Sequence, residues 1–225
     1  MNNFIEVYEN VLPKEVCEYI IKLYEETPTA SYPGGSGMHG NVDYNIKQSI
    51  DMNLLQVLSE KPGLKPMILS AIRSELDKHV VEYFRKYPYT QRTSFDKETD
   101  DSTILDNLQS SYSFWAKSII IKKYDKEVGG YHAFHEDCGA ESPSLERTLV
   151  CMFYLNDVKE GGETEFYHQN VKVPPTQGSL VIFPAYFTHL HKGHVPISND
   201  KYILNLWLLK NNAAHWRIWH SKNKK

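Results

Sequence analysis

The sequence predicts a mainly β fold in which N-terminal helices buttress a barrel or sandwich of short strands. The first half of the 225-residue chain holds two stretches whose apolar residues recur at helical spacing. From Ser111 onward the pattern changes to short apolar or alternating runs, separated by turn residues. A jelly roll is the variant of this class that closes its strands over a central pocket.

Two long helices are predicted in the first half, after a short strand at residues 4–11. The first covers residues 15–26, because Pro13 suits a first helical turn and apolar residues then recur at helical spacing. The second covers residues 65–87 and ends before Pro88. Its predicted buried face consists of Met67, Ile68, Ile72, Leu76, Val80 and Tyr83.

The rest of the first half is predicted to be irregular or edge structure. Residues 27–43 contain proline and several glycines and should form a loop. A strand or sheet edge is expected at residues 44–52. Residues 91–108 are polar and acidic, so we expect a mobile connection there, in the manner of a flap.

Five strands are predicted in the second half, at residues 113–122, 148–155, 162–167, 178–183 and 201–209. In the last strand, alternation separates two faces. The apolar face, which suits packing against the helices, consists of Tyr202, Leu204, Leu206 and Leu208. The other face, whose mixed character indicates a pocket wall, consists of Lys201, Ile203, Asn205 and Trp207.

Composition and charge exclude several classes of protein. A net charge of −3 creates no field that attracts nucleic acid, and 41% apolar residues suffice for a core. The three cysteines form neither a Cys-x-x-Cys pair nor an even framework, which favours a reducing cytoplasm. Neither a signal peptide nor a membrane span is predicted. We expect one domain, with residues 1–110 as scaffold, 111–210 as core and 211–225 as tail.

The candidate for chemistry is a histidine and an aspartate two positions apart, His135 and Asp137. In extended backbone both side chains leave the same face and can reach one point. An imidazole and a carboxylate are two thirds of the facial triad that non-haem Fe(II) oxygenases use. The second imidazole must come from another strand. His189, His191 and His194 are the candidates, and proximity alone does not choose among them.

Lys201 opens the last predicted strand, on its pocket face. A buried ion costs several kcal/mol of desolvation unless a counter-charge meets it. The neighbouring strand sequences offer no obvious carboxylate, so the carboxylate of a ligand is a reasonable partner. The alternative is a lysine at a strand end whose ammonium group reaches solvent.

A set of motifs across residues 119–209 resembles the Fe(II)/2-oxoglutarate dioxygenases of the prolyl 4-hydroxylase-like group. In chain order the motifs are His135-x-Asp137, Arg147-Thr148-Leu149, Tyr154-Leu155-Asn156-Asp157, Gly161-Gly162-Glu163-Thr164-Glu165-Phe166, Val173-Pro174, Gly178-Ser179-Leu180-Val181-Ile182-Phe183, His191-x-Gly193 and Lys201-Tyr202. The order and spacing of these elements together are specific to the group. The resemblance implies a double-stranded β-helix, which is a jelly roll, with helices around it.

The resemblance also implies the cofactors and their ligands. Fe(II) is expected to be bound by His135, Asp137 and His191, with 2-oxoglutarate and O2 as cosubstrates and ascorbate as a candidate reductant. Lys201 is expected to pair with the C5 carboxylate of 2-oxoglutarate. Tyr154 and Tyr124 are expected to hydrogen-bond the same carboxylate, and Trp207 and Thr164 match a pocket-wall aromatic and a structural turn residue.

The implied reaction is the hydroxylation of a C–H bond, most naturally in a prolyl or other residue of a peptide or protein. Acidic loops at residues 91–108 and 138–146 would flank such a substrate, whereas a membrane partner is not expected and the oligomeric state stays open. The alternatives are a small metabolite, a nucleic acid held by the basic and aromatic tail at residues 215–225, and a non-catalytic jelly-roll binding module. A zinc hydrolase would have no use for Lys201, and the chain has no His-Glu-x-x-His motif.

Overall fold

The computed structural model describes residues 2–36, 40–88, 99–114, 119–140 and 144–210. Within these ranges the helices are α1 (Lys14–Glu25), α2 (Leu54–Glu60), α3 (Lys65–Lys86) and α4 (Asp101–Ser111). The strands are β1 (Glu6–Tyr8), β2 (Ser31–Pro33), β3 (Lys47–Gln48), β4 (Ile50–Asn53), β5 (Tyr112–Phe114), β6 (Ile120–Tyr124), β7 (Gly130–His135), β8 (Arg147–Tyr154), β9 (Thr164–Phe166), β10 (Val171–Val173), β11 (Leu180–Pro184), β12 (His191–Gly193) and β13 (Lys201–Lys210).

The described strands form two antiparallel sheets. The larger sheet has the order β1-β11-β8-β13-β6-β4-β2, with β5 also paired to β13. The smaller sheet has the order β10-β9-β12-β7-β3. Strands that are distant in sequence are therefore neighbours in both sheets, as in the expected jelly roll.

Helices α1 and α3 cover one face of the larger sheet. Their buried residues join one apolar cluster with the predicted apolar face of β13, for example Ile20 of α1, Ile72 of α3 and Leu204. Fully burying a leucine or isoleucine side chain contributes about 1.5–3 kcal/mol, so this cluster fixes the helices to the sheet. The predicted buried face of α3 is confirmed except at Met67 in its first turn, which is 60% exposed.

The other face of the larger sheet turns toward the smaller sheet. A second cluster of buried residues joins Ile203 and Trp207 of β13 to Phe166 of β9 and Val173 of β10. The alternation predicted for β13 is thus confirmed, since its two faces lie in two different clusters.

Two helices were not predicted. Residues 91–108 were expected to be a connection, but α4 begins at Asp101 because the Asp100 side chain caps it, accepting from the Thr103 backbone N–H at 2.9 Å. The expected flap at residues 91–98 lies outside the described residues. Helix α2 is capped in the same way by Asn53, which accepts from the Leu55 backbone N–H at 3.1 Å.

Cys17, Cys138 and Cys151 are free thiols. Of the helices in the described part of the chain, none has the length and apolar character that a membrane span requires.

Candidate metal centre

The pairing of β7 with β12 brings His135 and His191 together. His135 ends β7, His191 begins β12, and the two residues lie opposite each other in the antiparallel ladder. Their ring centroids are 4.3 Å apart. Asp137 follows β7, and its backbone N–H donates to the Ala185 carbonyl at 3.0 Å, which holds the aspartate beside the two rings. One possible ligand atom from each of His135, Asp137 and His191 lies within 4.8 Å of the others.

Both imidazole rings are oriented by backbone carbonyls. Nδ1 of His135 lies 3.2 Å from the Ala133 oxygen, and Nδ1 of His191 lies 3.0 Å from the His189 oxygen. In each ring Nδ1 carries the proton that it donates, so Nε2 keeps a lone pair for a metal ion. Such hydrogen bonds fix the tautomer and the direction of a metal-binding histidine.

The carboxylate of Asp137 has an acceptor atom that the described residues leave unsatisfied. Its Oδ2 atom is buried and has no hydrogen-bond partner among them, although it lies 3.3 Å from Nε2 of His191. Arg147 helps to position the aspartate, because its Nη1 donates to the backbone oxygen of Asp137 at 3.0 Å. A cation bound between Asp137 and the two imidazoles would satisfy the orphaned oxygen.

The protonation states suit a metal ion. Burial, together with the nearby His191, holds the pKa of His135 well below its ordinary value, so the ring is neutral. Burial alone would raise the pKa of Asp137, but the closeness of His191, His135 and Lys122 outweighs it and keeps the carboxyl ionised. A neutral imidazole and an ionised carboxylate are the forms that bind metals, so His135 and Asp137 fit Fe(II).

The two other candidate histidines point elsewhere. His189 is buried, with Nε2 2.9 Å from the Asn3 oxygen and Nδ1 3.0 Å from the Thr188 hydroxyl. His194 pairs with the carboxylate of Glu165. Of the three, the structure brings only His191 to His135 and Asp137.

Lys201 lies in the wall of the cavity that contains the metal candidates. It is 2% exposed, and Nζ donates to the Gly162 oxygen at 2.6 Å but forms no ion pair with any described residue. Gly162 has a φ of +76°, a left-handed conformation that favours glycine. Burial lowers the pKa of Lys201 to about 7, with Lys122 acting in the same direction and Glu163 opposing it. The ammonium group therefore lacks the counter-charge that its burial demands.

The two tyrosines near Lys201 differ in their surroundings. Tyr124 lies opposite Lys201 in the ladder and lines the cavity, and its hydroxyl group makes no hydrogen bond with a described residue. Tyr154 is fully buried, and its hydroxyl donates to the Thr164 hydroxyl at 2.7 Å. The ring centroids of Tyr124 and Tyr154 are 5.3 and 5.7 Å from Nζ of Lys201. Of these two hydroxyl-bearing residues, Thr164 lines the cavity.

Two further residues in or near the cavity carry polar groups. Asn205, on the predicted pocket face of β13, lines the cavity. Lys122 also lines it, and sequence reasoning did not single this residue out. Alternation gave a signal, because Lys122 precedes Tyr124 by two positions in β6 and therefore shares its face. Trp207 lies beside them, with its ring centroid 5.7 Å from Nζ of Lys122 and 4.0 Å from the guanidinium carbon of Arg147.

Known proteins resemble this chain in sequence. Residues 119–209 match the family model of the 2OG-Fe(II) oxygenase superfamily, where 2OG denotes 2-oxoglutarate. Prolyl 4-hydroxylase 13 of Arabidopsis thaliana is 25% identical over 182 residues. That match covers 66% of this chain and 63% of the length of the relative.

Solved structures resemble it in fold. A Trichoplax adhaerens prolyl hydroxylase in complex with a peptide fragment of the hypoxia inducible factor oxygen degradation domain aligns with a TM-score of 0.63 at 15% identity, over 92% of this chain and 84% of that one. The 2OG complex of a viral collagen prolyl hydroxylase from Paramecium bursaria Chlorella virus-1 aligns with a TM-score of 0.54 at 18% identity, over 91% and 95%. At these identities the alignments establish the fold, a jelly-roll core with helices.

Proposed function

We propose that this chain, whose residues 119–209 match the family model of the 2OG-Fe(II) oxygenase superfamily, hydroxylates a C–H bond in a peptide or protein substrate. The observation that carries the proposal is the joint position of two features in one cavity. The side chains of the three metal candidates converge there, and a buried lysine beside them has no counter-ion among the described residues.

His135, Asp137 and His191 are the residues that would hold Fe(II). When bound, Fe(II) and 2-oxoglutarate supply the oxidising chemistry, in which the cosubstrate is converted to succinate and CO2 and one oxygen atom of O2 enters the substrate. The protein contributes the direction of the ligands, through the carbonyls that hold both imidazoles. Ascorbate is the reductant that we propose.

Lys201 and its neighbours would bind the cosubstrate by its C5 carboxylate. The ammonium group gains there the counter-charge that its burial requires. The free hydroxyl of Tyr124 can donate to the same carboxylate from the opposite strand. Tyr154 would contribute through Thr164, whose hydroxyl it orients. Since these groups are buried, the electrostatic attraction is screened little by water.

A prolyl residue is the side chain that we favour as substrate. The support is the resemblance to prolyl 4-hydroxylase 13, and the fold shared with a prolyl hydroxylase that was solved with a peptide. The substrate would lie across the cavity mouth, next to the loop that follows Asp137. The tail that could favour a nucleic acid, residues 215–225, lies outside the described residues.

The test is a screen for succinate release. The protein is incubated with Fe(II), 2-oxoglutarate and ascorbate, together with pools of proline-containing peptides, free amino acids or oligonucleotides. We expect at least one peptide pool to raise succinate release above the level without substrate, and His191→Ala to abolish the increase. An increase with oligonucleotides or free amino acids alone would overturn the peptide assignment. Unchanged 2-oxoglutarate in every mixture would overturn the oxygenase assignment.

A further inference from the structure

Lys122 is a second buried lysine in the cavity wall, and the proposed reaction gives it no role. The residue is 8% exposed and lines the cavity together with the metal candidates. Its ammonium group forms no ion pair or hydrogen bond with any residue that the structure describes. Burial lowers the pKa of Lys122 to about 8, with Lys47 contributing in the same direction. An unpaired cation in such a place is costly, so a counter-charge should meet it when the site is filled.

The nearby carboxylates are already engaged. Asp51 lies opposite Lys122 in the pairing of β4 with β6. It accepts hydrogen bonds from Lys47 and Ser49, both at 2.7 Å, so its charge is compensated without Lys122. Asp137 carries the other nearby negative charge, and that carboxylate is a metal candidate. No acidic side chain of the described residues is left over for Lys122.

The surroundings of Lys122 are rich in polar groups without partners. Two cations lie near the ring of Trp207. Nζ of Lys122 is 5.7 Å from the ring centroid, and the guanidinium carbon of Arg147 is 4.0 Å from it. Nε1 of Trp207, Nε of Arg147 and Oδ1 of Asn205 are buried and have no hydrogen-bond partner among the described residues. Buried polar groups in proteins are normally satisfied, so three such groups beside the unpaired Lys122 indicate a binding site.

The unsatisfied polar groups near Lys122 and Trp207 lie apart from Lys201, where the cosubstrate is proposed to bind. Lys201 and Trp207 lie six residues apart on β13, which is roughly 20 Å along a strand. Lys122 extends toward the Trp207 end. Under the proposed function Lys201 takes the C5 carboxylate of 2-oxoglutarate, and the opposite end of the cosubstrate meets the metal. Neither end then neutralises Lys122, and bound Fe(II) would add further positive charge.

We propose that Lys122 recognises a carboxylate of the primary substrate and places it beside the metal centre. The inference rests on the proposed function and narrows its substrate class to molecules with an acidic group close to the reacting carbon. Such molecules include a peptide with an acidic side chain next to the target residue and a peptide whose target residue carries the free C-terminal carboxylate. Asn205 and the Trp207 indole would complete the recognition, as an amide and a further donor.

The first test is a binding measurement that does not depend on turnover. The protein, loaded anaerobically with Mn(II) and 2-oxoglutarate, is titrated by calorimetry with two pairs of probes, acetate against acetamide and N-acetyl-L-proline against N-acetyl-L-prolinamide. We expect the acid of at least one pair to bind about tenfold more tightly than its amide or better, as charge complementarity requires. Lys122→Met and Lys122→Gln should each reduce that preference to within about threefold. Lys122→Arg, which keeps the charge, should retain it.

Lys123→Met is the matched control. Lys123 is the next residue in β6 but faces the other side, where it pairs with Glu25 at 3.1 Å. Its removal should leave the preference for the acid intact. Equal binding of acid and amide to the unmodified protein, or no binding of either, would overturn the proposal.

A second measurement separates the substrate from the cosubstrate. The Kd for 2-oxoglutarate should change by less than about threefold in Lys122→Met, because its carboxylates are bound elsewhere. A large rise in that Kd, with the acid preference unchanged, would assign Lys122 to the cosubstrate and overturn the proposal. Failure of the proposed function has a different signature, since the protein would then neither bind nor consume 2-oxoglutarate.

Discussion

Nε2 of His191 lies 3.3 Å from Oδ2 of Asp137, and no hydrogen bond joins the two atoms. The two residues come from different parts of the chain, and the ladder between β7 and β12 brings them together. An imidazole nitrogen and a carboxylate oxygen that are close together without a hydrogen bond have the geometry of two ligands of one metal ion. This relationship underlies the first prediction.

Removal of any one metal candidate should abolish high-affinity metal binding. His135→Ala, Asp137→Ala and His191→Ala each remove one of three ligands, so we expect the Kd for Mn(II) to rise by about 100-fold or more. Titration calorimetry in the absence of O2 measures this directly. His194→Ala is the control, because His194 pairs with Glu165 and not with the metal candidates. A normal Kd in His191→Ala would remove His191 from the site.

Lys201→Ala should weaken the binding of 2-oxoglutarate far more than it weakens folding. Loss of one partner of a buried ion pair costs about 3–5 kcal/mol, which corresponds to a rise in Kd of two orders of magnitude or more. The measurement is the titration of the Mn(II)-loaded protein with 2-oxoglutarate. Lys123→Ala, on the outer face of β6, should bind normally. An unchanged Kd in Lys201→Ala would contradict the proposed carboxylate site.

The binding of 2-oxoglutarate should weaken as the pH rises above 7. Burial lowers the pKa of Lys201 to about 7 in the free protein. A bound carboxylate favours the ammonium form and raises that pKa, so binding takes up a proton above pH 7. The affinity for 2-oxoglutarate is then highest below pH 7 and falls by up to about tenfold per pH unit above it.

Lys201→Arg provides the control for this pH dependence. The guanidinium group stays protonated throughout the range, so the variant should show a much flatter profile even where its affinity is lower. Calorimetry in buffers of different ionisation enthalpy would count the protons taken up. A steep profile that persists in Lys201→Arg would assign the titration to another group.

The sequence predicted the long, periodic elements well, and the reason is physical. α1, α3 and β13 each present a regular apolar face. Its periodicity can be recognised in the sequence without knowledge of the element that it packs against. α2 and α4 are shorter and depend on the caps formed by Asn53 and Asp100, so apolar periodicity alone does not predict them. Met67 was misassigned because it lies in the first turn of α3, where the apolar pattern continues past the buried surface.

The metal candidates could be predicted from the sequence, but the second buried lysine in the cavity wall could not. His135 and Asp137 share a face by local geometry alone, whereas the choice of His191 needed either the family resemblance or the observed pairing of β12 with β7. Lys122 was missed because a lysine in a strand ordinarily faces solvent. Its burial arises only when β4 and β13 pair on either side of β6, which no local pattern reveals.

The hydroxyl groups of Tyr154 and Thr164 should act as one unit in cosubstrate binding. Tyr154 donates to Thr164 at 2.7 Å, and Thr164 lines the cavity. We expect Tyr154→Phe and Thr164→Val each to weaken 2-oxoglutarate binding by about 0.5–1.5 kcal/mol, the usual contribution of one hydrogen bond. The double variant should be little worse than Thr164→Val alone. Fully additive losses would instead indicate that Tyr154 reaches the cosubstrate independently.

Breaking the buried pair of Lys47 and Asp51 should cost more stability than breaking a surface pair. Nζ of Lys47 lies 2.7 Å from Oδ2 of Asp51, and both side chains are less than a tenth exposed. Lys47→Met leaves the carboxylate buried with only Ser49 as a donor, so the free energy of unfolding should fall by about 3–5 kcal/mol. Lys14→Met, which breaks an exposed pair with Glu18, should cost less than about 1 kcal/mol.

Urea denaturation with an unchanged m-value would measure both losses as changes in stability alone. A further variant, Lys47→Met combined with Asp51→Leu, distinguishes the net value of the pair from the cost of one unpaired charge. Since the desolvation of two ions offsets much of their attraction, the double variant should recover most of the loss. If it is instead as unstable as Lys47→Met, the loss arises from other contacts of Lys47, such as the hydrogen bond to the Gly35 oxygen at 3.2 Å.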